Sequence, residues 1–161
     1  MKYLLSMDGG GSKTAWLLTS VTGQNAASFR SDGCSHTELG LKETLAFLHT
    51  GIEKLLSLAG CSRGDILAAA FGIPLYGEYP AVDEVIRLDL VNFLSPALVT
   101  VYNDVELGFA GSLCLEEGIH LVAGTGAIVL GRNAIGQTAR AGGWHSAFSD
   151  EGSGFWLGMQ T

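Results

Sequence analysis

Asp8-Gly9-Gly10-Gly11-Ser12-Lys13-Thr14 is the stretch that decides the reading of this chain. It follows an apolar run, Tyr3-Leu4-Leu5-Ser6-Met7, of buried-strand length. It precedes a second β-like run, Ala15-Trp16-Leu17-Leu18-Thr19-Ser20-Val21. Three glycines between two strands make a tight turn whose backbone can approach a ligand closely. Successive N–H groups in such a turn can form an anion-binding nest. Lys13 adds a cation, Ser12 and Thr14 add hydroxyls, and Asp8 adds a carboxylate suited to hydrated Mg²⁺.

The stretch is not a Walker loop, which needs Gly-Lys-Ser/Thr followed by a helix. Here Ser12 precedes Lys13, and the residues that follow are β-branched and aromatic, as in a strand. A phosphate turn inside a β-hairpin suggests the actin-like, sugar-kinase-like ATPase architecture. The plainer alternative is an ordinary glycine-rich hairpin turn.

The 161 residues are 47% hydrophobic and only 16% charged, so a sizeable core is expected and disorder is not. The net charge of −7 argues against nucleic acid and against an anionic membrane surface as partners. Cys34, Cys61 and Cys114 are far apart and show no Cys-x-x-Cys pairing, so neither a disulfide framework nor a metal cage is signalled. Reduced thiols in the cytoplasm are the default. The first residues are too few and too polar for a signal peptide, and no apolar run approaches transmembrane length.

The first thirty residues read as a three-stranded meander, the third strand lying near Asn25 to Arg30. A polar loop, Ser31 to Glu38, precedes a helical period from about Gly40 to Leu58. Leu41, Leu45, Leu48, Ile52, Leu55 and Leu56 share one face of that helix, and Gly60 closes it. Ile66 to Gly72 reads as a strand, Ala81 to Leu94 as a helix after Pro80, Ala97 to Tyr102 as a strand, and Val105 to Leu115 as a short helix. New β-rich segments then open at Ile119 to Ala123, Gly126 to Arg132 and Thr138 to Ala141, and the tail from Asp150 looks like the first turns of a helix. The order β-β-β-α-β-α-β-α predicts an α/β fold with a ribonuclease H-like, mixed five-stranded sheet flanked by helices. The expected domains are 1–116, an N-terminal ribonuclease H-like ATPase domain, and 117–161, the first strands and inter-domain helix of a second such domain.

Three later clusters join the first turn. Asn103-Asp104 ends a buried strand, at the edge where open α/β sheets bind ligands. A carboxylate there can take the proton of a substrate hydroxyl, or it can simply cap the helix that follows. Ala123-Gly124-Thr125-Gly126-Ala127 reads as a second phosphate-facing turn or a common Gly-x-Gly hairpin. Gly142 to Gly154 is dense in Gly, Trp, Asp and Glu: Trp144 offers a face for a sugar ring, and Asp150 and Glu151 can accept from sugar hydroxyls or cap the last helix. His36 reads either as a solvated loop histidine or as a substrate contact, and His49 as a surface residue.

With these clusters in this order, the chain resembles the BadF/BadG/BcrA/BcrD ATPase family, which includes N-acetylglucosamine kinases. The resemblance rests on Asp8 to Thr14, Asn103-Asp104, Ala123 to Gly126, Gly142-Gly143-Trp144 and Asp150 to Ser153. It implies an actin-like fold of two ribonuclease H-like domains with ATP and Mg²⁺ in the cleft. It further implies phosphoryl transfer to a sugar 6-hydroxyl, with Asp104 as catalytic base and Asp8 placing the metal. Gly9, Gly10, Gly11, Ser12, Lys13, Thr14, Gly124, Thr125 and Gly126 would face ATP. His36, Asn103, Gly143, Trp144, His145 and Asp150 would face the sugar. A cytoplasmic homodimer acting on a small-molecule sugar is expected, with the chain read as part of a longer kinase.

Three positions depart from the family's kinases: the loop Ser35-His36-Thr37 often carries Asn there, Ala127-Ile128 stand in place of Ser-Asn, and His145 in place of Gly. The phosphate machinery is kept and the sugar pocket is altered. Two alternatives are an ATPase that drives a partner enzyme and a sugar- or nucleotide-binding module without turnover. The family's activators hold an iron–sulfur cluster by cysteines, and no such setting is recognisable around Cys34, Cys61 or Cys114.

Overall fold

The structure is a computed structural model and describes residues 1–144 and 148–161. The elements are β1 (Tyr3–Gly9), β2 (Lys13–Ser20), β3 (Asn25–Asp32), α1 (His36–Leu39), α2 (Leu41–Ala59), β4 (Ile66–Ile73), α3 (Pro80–Phe93), β5 (Leu98–Asn103), α4 (Asp104–Leu113), β6 (Gly118–Ala123), β7 (Ala127–Arg132), β8 (Thr138–Gly142) and α5 (Gly154–Met159). They fall into two compact units, Met1–Asp104 and Val105–Thr161.

The first unit is built on a five-stranded sheet of order β3-β2-β1-β4-β5. β1, β2 and β3 form an antiparallel meander, and β4 and β5 run parallel to β1. This is the mixed, ribonuclease H-like sheet that the element order predicts. Side chains alternate along each strand, so one face of β1 and β2 buries Leu5, Met7, Trp16 and Leu18. On α2 the buried stripe is Thr44, Leu48, Gly51, Ile52, Leu55 and Leu56, at helical spacing. Gly60 ends that helix in the left-handed conformation, φ 65° and ψ 34°, its N–H donating to the Leu56 and Ser57 carbonyls. Proline occupies the first position of α3, where its missing N–H costs nothing. Ile86 and Leu90 carry α3 into the same core as Phe71 and Ile73 of β4.

Several boundaries move from the sequence reading. β1 continues through Asp8 and Gly9, which pair with Ala15 and Thr14, so the first turn narrows to Gly10-Gly11-Ser12. β3 extends to Asp32, and α1 occupies part of the expected polar loop. A helix of four residues is too short to leave a periodic signal in sequence. His49, expected at the surface, lies between α2 and α3: its Nε2 is bonded to Asp89 Oδ2 and its ring stacks on Phe93 at 3.8 Å.

After α4, the second unit holds another antiparallel meander, β6-β7-β8. The Gly124 N–H donates to the Gly126 carbonyl and closes the β6–β7 turn at 2.9 Å. Ser153 caps α5, its Oγ accepting from the Trp156 N–H at 3.0 Å. The Gly154 N–H donates to the Gly124 carbonyl at 2.7 Å, so the start of α5 is tied to that turn.

Candidate functional site

Register alone collects the first unit's candidate residues at one sheet edge. Asp8 pairs with Gly72, Ile73 with Asn103, and Lys13 with Asp32. The ends of β1, β3, β4 and β5 and the beginning of β2 therefore meet there, around the carboxyl ends of the parallel strands.

The glycines of the first turn are fixed by close backbone approach. A Cβ on Gly9 would stand 2.4 Å from Cys34 Sγ and 2.7 Å from the Gly72 carbonyl oxygen. One on Gly33 would meet the Gly11 carbonyl oxygen at 1.8 Å. The Cys34 N–H donates to the Gly10 carbonyl at 3.2 Å, and the Gly10 N–H to the Lys13 carbonyl at 2.9 Å. The turn thus rests on the segment after β3, while Gly11, Ser12 and Lys13 are exposed. A Cβ on Gly11 would meet nothing within 4 Å, so space remains over the crest of the turn. Thr14 is placed differently from its neighbours: it is fully buried, and its hydroxyl donates to the Asp32 carbonyl at 2.9 Å. It braces the turn from beneath.

Asp104 is the first residue of α4 and Asn103 the last of β5, both half-buried. The Asn103 amide donates to the Tyr76 carbonyl at 3.3 Å, which ties the end of β5 to the loop after β4. Burial, against a lowering bond from Thr14 and helped by the charges of Asp104 and Asp8, raises the Cys34 thiol to about 11. Both carboxylates are therefore within electrostatic reach of the same thiol, beneath the turn.

His36 is buried, not solvated. Its ring meets Tyr79 edge-on at 5.1 Å, and neither ring nitrogen has a hydrogen-bond partner among the described residues. Tyr79 and Asp83 escape the sequence reading altogether. Asp83, buried on α3, accepts from the Gly77 N–H at 3.0 Å and the Tyr79 N–H at 3.3 Å, and so holds the loop that carries Tyr79. Only the pairing of an i, i+4 Asp with a Gly-containing loop hinted at this, and many helix starts share it.

In the second unit, Gly126 lies against Asp150: a Cβ there would stand 3.0 Å from Asp150 Oδ2. Asp150 is buried at φ 71°, a left-handed conformation uncommon outside glycine, and its Oδ1 has no partner among the described residues. Gly124 and Thr125 are exposed beside it in sequence. Gly143 takes φ 70°, and Trp144 is exposed with the Arg140 guanidinium over its ring at 4.6 Å. His145 lies outside the described residues.

The two glycine turns suit anionic oxygens, and an orphaned carboxylate oxygen beside the second asks for a donor. Among the described residues no cluster of three or more His, Cys, Asp or Glu side chains is arranged to hold a metal.

The mixed five-stranded sheet flanked by helices is the fold of an actin-like ATPase domain. The profile of the BadF/BadG/BcrA/BcrD ATPase family matches residues 5–161, and the chain belongs to that family. It is 34% identical over 167 residues to the N-acetylmuramic acid/N-acetylglucosamine kinase of Clostridium acetobutylicum, covering 100% of this chain and 52% of that protein. Two crystal structures that carry the provisional name N-acetylglucosamine kinase share its fold. The Chromobacterium violaceum protein gives a TM-score of 0.75 at 26% identity, over 99% of this chain and 55% of that one. The Porphyromonas gingivalis protein gives 0.77 at 25%, over 99% and 54%. The chain spans about half the length of the curated relatives it matches.

Proposed function

We propose that the protein containing this chain is an ATP-dependent kinase of amino sugars, of the N-acetylglucosamine or N-acetylmuramic acid kind. The observation that carries this reading is the convergence at one sheet edge of the exposed glycine turn, Asp8 and Asp104. The relationship to a curated sugar kinase over the full length of this chain supports it.

Asp104 is assigned as general base: it takes the proton of the sugar hydroxyl as that oxygen attacks the γ-phosphorus of ATP, and ADP leaves. Gly10, Gly11, Ser12 and Lys13 offer N–H groups, a hydroxyl and a cation to phosphate oxygens. Magnesium, when bound, neutralises charge on the transferring phosphoryl group, and Asp8 is the residue assigned to hold it. In the second unit, Gly124, Thr125 and Gly126 are read as a further phosphate turn. Asp150, with one carboxylate oxygen unpartnered, is read as an acceptor for sugar hydroxyls, and Gly143 and Trp144 as the wall for the ring. The three free cysteines accord with a reducing, cytoplasmic setting.

The test is ATP consumption by the full-length protein over a panel of sugars. Asp104→Asn is expected to lower kcat by about 10²–10⁴-fold with the sugar still bound. Turnover left intact in that variant would remove Asp104 from the chemistry.

A further inference from the structure

We propose that Arg140 is a positioning residue for the acceptor wall: its guanidinium holds the Gly142-Gly143-Trp144 loop and sets the Trp144 indole to receive a sugar ring. This rests on the kinase reading above and deepens it by giving the wall its anchor. Arg140 stands on β8, two residues before Gly142, the last of that strand. Its Nε donates to the Gly142 carbonyl at 3.3 Å, and its Nη2 donates to the Gly143 carbonyl. The same guanidinium lies over the Trp144 ring, 4.6 Å from the centroid. Three successive residues are thus held by one planar group.

The shape of the side chain matters to this arrangement. A guanidinium carries its N–H donors in a fixed fork, so it can bond two neighbouring carbonyls while its flat face stacks on an aromatic ring. An ammonium is a compact charge on a flexible stem and has no such plane. Gly142 and Gly143 take φ 73° and 70°, a left-handed pair whose carbonyls both meet Arg140. Ile128 packs against the same loop: a Cβ on Gly143 would stand 2.8 Å from its Cδ1.

The anchored loop does not bury its aromatic. Trp144 stays 63% exposed. A loop fixed for stability alone would turn so large an apolar side chain inward, where burial stabilises most. The loop also lies beside an orphaned carboxylate. A Cβ on Gly142 would stand 3.1 Å from the Ala127 carbonyl oxygen and 3.8 Å from Ser149 Oγ. Ser149 precedes Asp150, whose buried Oδ1 has no partner among the described residues and calls for a donor. A held, exposed indole near an unpartnered acceptor suits a ligand with both an apolar ring face and hydroxyls.

The experiment uses the full-length protein, wild type, Arg140→Ala and Arg140→Lys, each also with Trp144→Phe, and N-acetylglucosamine with ATP. Arg140→Ala is expected to raise KM for the sugar about fivefold or more. KM for ATP and the thermal midpoint are expected to change little, because Arg140 is exposed. Arg140→Lys keeps the cation without the fork and is expected to recover only part of that loss. Full recovery would assign the effect to charge alone and overturn the clamp. Trp144 emission, taken against the Trp144→Phe counterpart, is expected to change on adding sugar and to change less in Arg140→Ala. An unchanged KM for the sugar in Arg140→Ala would overturn the proposal. So would an equal rise in KM for ATP with a lowered thermal midpoint, which marks a merely structural role. The Trp144 signal needs no turnover, so the two readings separate. If no sugar is phosphorylated, the kinase reading fails, and the inference stands only on an Arg140-dependent response of Trp144 to sugar. A sugar that is phosphorylated while Trp144 emission stays unmoved overturns the inference alone.

Discussion

Cys34 lies beneath the first glycine turn, 1% exposed, where a Cβ on Gly9 would strike its sulfur. Burial, then the Asp104 and Asp8 charges, raise its thiol from 9.0 to about 11. A pKa raised in the folded state means that folding favours the protonated form. That contribution is fully present below pH 9 and is lost as pH rises from 9 through 11. At about 1.4 kcal/mol per unit, the loss amounts to about 3 kcal/mol at the alkaline end. Denaturant midpoints measured between pH 8 and 11 are therefore expected to fall less steeply in Cys34→Ala than in the wild type. The comparison of slopes separates this effect from the cavity left by the substitution. In the native protein at pH 8, thiol reagents are expected to label exposed Cys114 and to spare Cys34. From sequence, Cys34 is one more isolated thiol in a polar loop; its position under the turn depends on a backbone bond from Cys34 to Gly10 that no local pattern announces.

At the scale of elements, α2 meets β2 through a glycine. A Cβ on Gly51 would stand 2.2 Å from the Trp16 ring. That ring has little freedom to yield: it stacks on Phe29 at 5.6 Å and donates from Nε1 to Ser31 Oγ at 2.9 Å. An alanine in a helix interior normally stabilises by up to about 1 kcal/mol over glycine. Overpacking a fixed aromatic costs more, typically about 1–3 kcal/mol. Gly51→Ala is thus expected to destabilise the protein, read as a lower urea midpoint at unchanged slope. Helical period placed α2 within a residue or two, because six apolar positions recur on one face. Its glycine and Thr44 were invisible to that pattern, since small residues enter the buried stripe only where a neighbour is large. His49 is the converse: its polarity reads as surface, and only the packing of α2 against α3 gives it Asp89 and Phe93.

At the scale of the whole molecule, burial is unevenly shared. Every residue of the buried core cluster, from Leu5 to Leu94, lies in the first unit. Among the described residues of the second unit, Phe109 is the one buried hydrophobic side chain. Local opening requires little free energy where few apolar contacts are lost. Hydrogen exchange of this 161-residue chain is expected to be slowest in β1, β2, β4 and α2 and faster in β6, β7 and β8. Equal protection of the two meanders would contradict that expectation.

The sequence by itself determined the sheet's element order, the hairpin setting of the first glycine turn, the family and the identity of the polar residues at the strand ends. These follow from local rules: period-two and helical alternation, turn glycines and the punctuation of Pro80 and Gly60. Tertiary structure decided which of those polar residues share an environment. Strand register gathered Asp8, Asn103 and Asp104 at one edge; packing buried His36 against Tyr79 and turned Thr14 inward to the Asp32 carbonyl. The physical reason is that burial and hydrogen-bond partnership are made between segments far apart in the chain, so they exist only once the strands are in register and the helices have closed over them.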